Sequence, residues 1–180
     1  MANVKATDIV IIREMFKDRG DKEINALAPV LKPETLKILR SALAINWVPI
    51  EVEAEILQET SKLFYPNDPR PIFQLGYKVT GKNFTGIYKF FLRIPSVAFI
   101  IKNISSTYNT LLDTGVARID DWTSNGATFV ISGLPELPVV HREYICGMIL
   151  GVLELTGIKN IKVEKVHNNP NEWKWKISWT

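Results

Sequence analysis

Few residues in this chain combine types and spacing that could do chemistry. His141-Arg142-Glu143 has the H-x-E arrangement of zinc deaminases, in which the histidine binds metal and the glutamate moves protons. That site is completed by a downstream P-C-x-x-C run. Cys146 is the single cysteine among 180 residues, so neither the zinc site nor an internal disulfide can be built. His141 is expected in the first turn of a helix with Glu143 nearby. Thr80-Gly81-Lys82 approaches a phosphate loop, but Asn83 follows the lysine and no glycine stands at the upstream position. A turn between helices is the better reading. The other histidine, His167, falls in the turn-like run His-Asn-Asn-Pro-Asn. No Ser–His–acid set, acid–base pair or nucleotide fingerprint is present, so no enzyme is expected.

Small and aromatic residues offer a different chemistry, that of an apolar pocket. Gly147 and Gly151 lie four apart on one stretch with Cys146. They either let a helix approach a sheet closely or leave room beside it for a ligand. Cys146 suits a packing role, as buried free cysteines commonly do, with acylation the alternative. Phe84, Tyr88, Phe90, Phe91, Phe99 and Tyr108 give the middle of the chain a high aromatic density. They serve either a core or the walls of a small-molecule site, which is mostly apolar with few polar groups. The lining set expected on these grounds is Phe84, Phe91, Phe99, Tyr108, Cys146 and Ile149, with no catalytic or metal-binding residue.

These residues need elements to position them. Ile9–Phe16 reads as a strand or a short helix, broken by Asp18-Arg19-Gly20-Asp21. Pro33 suits the first turn of a helix, which Asn46-Trp47-Val48-Pro49 ends. Glu51–Phe64 is amphipathic, with Val52, Ile56, Leu63 and Phe64 on one stripe and Glu51, Glu53 and Glu55 complementing the helix dipole. Pro71 opens a helix to about Val79, and Gly81 and Gly86 bracket a turn around Lys82-Asn83-Phe84. Ile87–Ile94 is expected to be helical. Ser96 is placed to cap a further helix, which carries Val97, Ile100, Ile101, Ile104, Tyr108 and Leu111 and ends at Gly115.

From Val116 the apolar period becomes two. Val116–Asp121 and Ala127–Ser132 form a hairpin with Asn125-Gly126 at its turn. Helix Val139–Thr156, strand Ile158–Val166, turn His167–Glu172 and strand Trp173–Trp179 complete the chain. Trp173, Trp175, Ile177 and Trp179 alternate with Lys174, Lys176 and Ser178, which makes the last strand one-sided. The fold class is α+β: N-terminal helices packed on a four- to five-stranded antiparallel sheet, with a C-terminal helix and β-hairpin. Residues 1–180 are expected to form one domain.

Composition adds exclusions. The 22 basic and 19 acidic residues leave a net charge of +3, too mild and dispersed for a nucleic-acid partner. Ile9–Ile12 is too short for a signal peptide or membrane span, so a cytoplasmic location is expected.

Leu63-Phe64-Tyr65-Pro66, Leu75-Gly76-Tyr77, Thr80-Gly81 and the late run Gly147…Gly151-Val152-Leu153-Glu154…Gly157, closed by Ile177-Ser178-Trp179, carry a family resemblance. Over roughly Glu51 to Trp179 the chain resembles a bacterial paralogous domain of unknown function best known from myxobacteria. That domain is similar in turn to 4-vinyl-reductase-type domains, heme nitric-oxide-binding (H-NOX) domains and TRAPP-complex subunits. The resemblance implies N-terminal helices against an antiparallel sheet with a pocket between. Relatives fill that pocket with heme, with hydrocarbon-like molecules, or with an acyl chain on a cysteine. The heme branch needs a proximal histidine on a helix and a Tyr-x-Ser-x-Arg set. Tyr108-Asn109-Thr110-Leu111-Leu112 lacks the serine and arginine, and neither His141 nor His167 stands in a mid-chain helix before it. Cys146 does not match the acylated position. The resulting expectation is a non-enzymatic domain, without cofactor, that binds an apolar small molecule or acts as a sensor. The alternative is a dimeric interaction scaffold like the TRAPP subunits, with a homodimer or another protein as partner.

Overall fold

The computed structural model describes residues 2–20, 22–85, 96–134, 137–169 and 171–180. The elements run β1 (Asn3–Lys5), α1 (Thr7–Arg19), α2 (Lys22–Ala26), α3 (Pro33–Ser41), β2 (Trp47–Pro49), α4 (Ile50–Phe64), α5 (Pro71–Thr85), α6 (Val97–Leu111), β3 (Val116–Thr123), β4 (Gly126–Ser132), α7 (Val139–Glu154), β5 (Lys162–Asn169) and β6 (Glu172–Ser178). The α+β class holds, with a four-stranded antiparallel sheet ordered β3-β4-β6-β5 and a separate ribbon of β1 and β2. Among the described residues, no helix is long and apolar enough to cross a membrane.

The sheet follows directly from its alternation. Trp175 pairs with Phe129, Trp173 with Ile131 and Ile177 with Ala127, so one face is a continuous apolar surface. The indole N–H groups of that face all find carbonyls: Trp173 Nε1 donates to Leu134 O at 2.7 Å, Trp175 Nε1 to Arg142 O at 3.1 Å and Trp179 Nε1 to Ser124 O at 3.1 Å. Buried indoles need such acceptors, and these bonds fix the rings. On the opposite face Val130, between Arg118 and Lys174 in register, is fully buried. The ion pairs of Arg118 with Asp120 and Glu172, and of Lys174 with Glu172, spread across that face.

Helix α1 settles the Ile9–Phe16 ambiguity, because Ile9, Ile12 and Phe16 recur at helical spacing and are fully buried. The run at Trp47 does more than end a helix. Trp47–Pro49 is a strand, drawn out of the propensity pattern by pairing with Asn3–Lys5 far away in sequence. Asn3 also reaches the end of α6, donating from its backbone N to Asp113 Oδ1 at 2.8 Å and from Nδ2 to Asp113 Oδ2 at 2.7 Å.

Further expectations need correction. Helix α5 does not stop near Val79 but continues to Thr85, so Lys82-Asn83-Phe84 is helical rather than a turn. Gly81 meets open space, and a single glycine costs a helix only about 1 kcal/mol. Lys82 pairs with Asp18 and Asn83 with Asp8, contacts that tie this end of α5 to α1. Gly147 and Gly151 face α5, not the sheet. A Cβ at Gly147 would sit 2.7 Å from Tyr77 N, and one at Gly151 would sit 3.2 Å from Tyr77 O. Gly76 on α5 answers them, lying against the Tyr144 backbone. Helix α6 ends at Leu111, and Gly115 (φ +87°) belongs to the link into β3. Strand β5 starts at Lys162 and runs on to Asn169, which places His167 in a strand rather than a turn. The expected helix Ile87–Ile94 lies outside the described residues.

Candidate functional site

Helix α6 is capped as its sequence implies: the Ser96 hydroxyl accepts from Phe99 N at 3.1 Å. It lays Val97, Ile100, Ile101 and Ile104 toward the sheet. Ile119, Ala127, Phe129, Ile177 and Trp179 face them, and Ile149, Val152 and Leu153 of α7 close the space. The partly open cavity between them is about 60 Å³, and the wall that these residues form is apolar. On α6 only Tyr108 is buried. The other side chains of its packing face remain partly open, so this interface is less filled than the α5–α7 seam.

The expected lining residues scatter around this space. Ile149 lines it. Phe99 is on α6 but 42% exposed. Tyr108 sits at the far end of α6, buried, with its hydroxyl donating to Thr114 O at 2.9 Å; burial and the charge of Asp113 raise its pKa. Cys146 is buried in α7 and its thiol donates to Arg142 O at 3.3 Å. Burial, helped by the charge of Glu143, pushes that thiol up to about 11. Phe91 and the side chain of Phe84 lie outside the described residues.

A larger depression of about 280 Å³ lies on the outer flank between α5, α7 and β5, with Arg70, Lys162 and Glu164 among its lining residues. Arg70 is already engaged there, by Glu143 at 2.5 Å and by the Phe73 ring at 4.1 Å.

His141 does not turn to Glu143. It is 5% exposed and its Nε2 lies 2.9 Å from Glu53 Oε2 on α4. Glu143 instead receives Arg70 and Lys165, and these partners hold its carboxyl below the usual range against the opposing effect of burial. Beside the His141–Glu53 pair, Tyr144 Oη donates to Asp8 Oδ2 at 2.9 Å and Asn83 Nδ2 donates to Asp8 Oδ1 at 3.0 Å. This polar cluster joins α1, α4, α5 and α7. Sequence reasoning missed it, although Glu53 recurs with Ile50, Ile56 and Leu57 on the stripe that the structure buries. A carboxylate inside an apolar stripe was the available signal.

The architecture has solved counterparts. An H-NOX protein carrying an unnatural amino acid (designated Cs) superposes with a TM-score of 0.68 at 12% identity, covering 98% of this chain and 96% of the other. The Fe(II) unliganded H-NOX protein from K. algicida gives 0.65 at 15% identity, with 98% and 96% covered. An H-NOX variant from T. tengcongensis gives 0.62 at 12% identity, with 97% and 94% covered. The fold is that of the H-NOX domains. No protein-family model and no curated protein matches the chain.

Heme, the group this fold implies, can be tested against the residues present. The α6 face toward the sheet offers aliphatic side chains and no ligating atom. His141 is committed to Glu53. Among the described residues, the cavity wall holds no cation or hydroxyl for a propionate. Its volume is well below the roughly 300 Å³ at which drug-sized sites begin. The described residues of this space do not fit a heme.

Proposed function

We propose that this chain is a non-enzymatic, heme-free member of the H-NOX-like group, close to the myxobacterial-type domains, that binds an apolar small molecule between α6 and the sheet and acts as a sensory module. The observation that carries this reading is the incompletely filled, apolar interface between α6 and the sheet. An apolar guest removes more surface from water at about 25 cal/mol per Å², and α6 moves outward to admit it. The low burial of α6 keeps that movement inexpensive. Ile149 and the four aliphatic residues of α6 form the binding wall.

Native mass spectrometry of the purified protein, paired with displacement of Nile red by added hydrocarbon-like compounds, tests the reading. A retained small molecule or a saturable displacement is expected. Bare protein with no dye binding overturns it.

A second reading, the dimeric interaction scaffold, rests on Leu43, Ile45 and Trp47, which are 60%, 75% and 45% exposed near the β1–β2 ribbon. Light scattering over a wide concentration range separates the two. A strict monomer removes the scaffold and leaves the ligand reading standing.

A further inference from the structure

The turn between α3 and β2 carries an arrangement that neither the apolar cavity nor the α5–α7 seam uses. Leu43, Ile45 and Trp47 stand on it at alternate positions, 60%, 75% and 45% exposed. Single exposed apolar residues are normal, but three on one short turn form a patch.

The backbone beneath them is bonded within the protein. Ala42 O accepts from Arg13 Nη1 at 2.8 Å, Leu43 O from Asn46 N at 2.9 Å and Ala44 O from the Thr7 hydroxyl at 3.5 Å. Ile45 O accepts from Lys5 Nζ at 2.9 Å, and Asn46 O from Ala6 N at 2.9 Å. Every carbonyl from Ala42 to Asn46 therefore has an internal donor. The Asn46 side chain closes the turn, its Oδ1 accepting from Leu43 N at 2.7 Å. A loop in water needs none of these bonds, because solvent supplies them. A loop that enters a medium poor in donors needs all of them, since an unsatisfied carbonyl there is costly.

Charge names that medium. From Thr35 to Ile50 the charged residues are Lys37 and Arg40, both exposed, and no acid stands in that stretch. Lys5 and Arg13 add two cations at the base of the turn, and Lys5 Nζ lies 4.0 Å from the centre of the Trp47 ring. The acids nearest along the chain, Glu34 and Glu51, flank the stretch at either end. Apolar tips over a cationic base match an anionic bilayer, where acyl chains lie beneath a plane of negative headgroups. Trp47 suits the boundary between them. A folded protein partner fits less well, because three side chains of one turn fall short of the roughly 800 Å² per partner in a stable interface.

We propose that the turn Ala42–Trp47 is a membrane-surface anchor: Leu43, Ile45 and Trp47 enter the interface of an anionic bilayer while the cations behind them meet its headgroups. The chain docks on the surface and does not span it. The anchor is independent of any guest between α6 and the sheet. It claims the same three side chains as the scaffold reading, and one experiment separates the two.

That experiment is co-sedimentation of the full chain with vesicles of roughly three parts phosphatidylcholine to one part phosphatidylserine. Wild type should bind and be released as salt rises. Vesicles of phosphatidylcholine alone should bind about tenfold more weakly. Leu43→Ser combined with Ile45→Ser changes only exposed side chains, and it should weaken binding about tenfold or more. Equal binding to both vesicles, or undiminished binding by the double variant, overturns the anchor. So does a wild-type dimer, seen by light scattering and lost in the double variant, that binds no vesicle; the patch then belongs to a second copy of the chain. If the double variant fails to fold, quenching of tryptophan fluorescence by brominated phosphatidylcholine in the mixed vesicles decides. Quenching that Trp47→Phe removes supports the anchor, and quenching that it leaves unchanged overturns it.

Discussion

Gly147 lies against Phe73 with no room for a side chain: a Cβ there would be 3.0 Å from the Phe73 carbonyl carbon and 2.7 Å from Tyr77 N. This contact brings α7 onto α5 with backbone meeting backbone, and it leaves the sheet side of α7 free to face α6 across the apolar space. The late glycines therefore build the scaffold around the cavity rather than the cavity itself.

Replacing Gly147 with alanine should be costly, because what the new methyl meets is backbone that cannot rotate aside. Overpacking of this kind typically costs about 1–3 kcal/mol or more, which exceeds the helix-propensity gain of alanine, about 1 kcal/mol. Gly81→Ala is the matched control. Gly81 sits inside α5 with nothing near its missing Cβ, so alanine there should stabilise by about 0.5–1 kcal/mol. Urea denaturation of both variants measures the two effects. A neutral Gly147→Ala, or a destabilising Gly81→Ala, would contradict the α5–α7 packing.

Cys146 should be chemically quiet. Its thiol is 1% exposed and raised to about 11, chiefly by burial, and the thiolate is the reactive form. Ellman's reagent at about pH 8 should label it only slowly in the native state and promptly after denaturation. Rapid native labelling would count against its place in α7.

Ile149→Phe should fill the space between α7 and α6. Nile red affinity should fall severalfold while the melting temperature changes little, because the cavity of about 60 Å³ takes up the added atoms. Unchanged dye binding would place the ligand elsewhere, with the flank depression beside Arg70 and Phe73 the next place to mutate.

How much of this was legible depended on how local the cause was. The alternation of Trp173, Trp175, Ile177 and Trp179, the cap at Ser96 and the prolines opening α3 and α5 act within a few residues, and the sequence shows them plainly. Strand β2 was not legible, because Trp47–Pro49 extends only through pairing with Asn3–Lys5. Gly81 looked like a breaker because the contacts that hold α5 beyond it reach back to α1. Within the site, Ile149 could be named from helical spacing. The polar cluster could not, since Tyr144 and Asp8 are 136 positions apart.

The central claim is that the apolar space beside α6 takes a ligand without heme. Titration of the purified protein with hemin, followed at the Soret band and then by gel filtration, tests it most directly. The predicted result is a broad, unshifted absorbance that separates from the protein on the column. A sharp, shifted Soret band that saturates at one heme per chain and travels with the protein would contradict it, because an axial ligand would then exist.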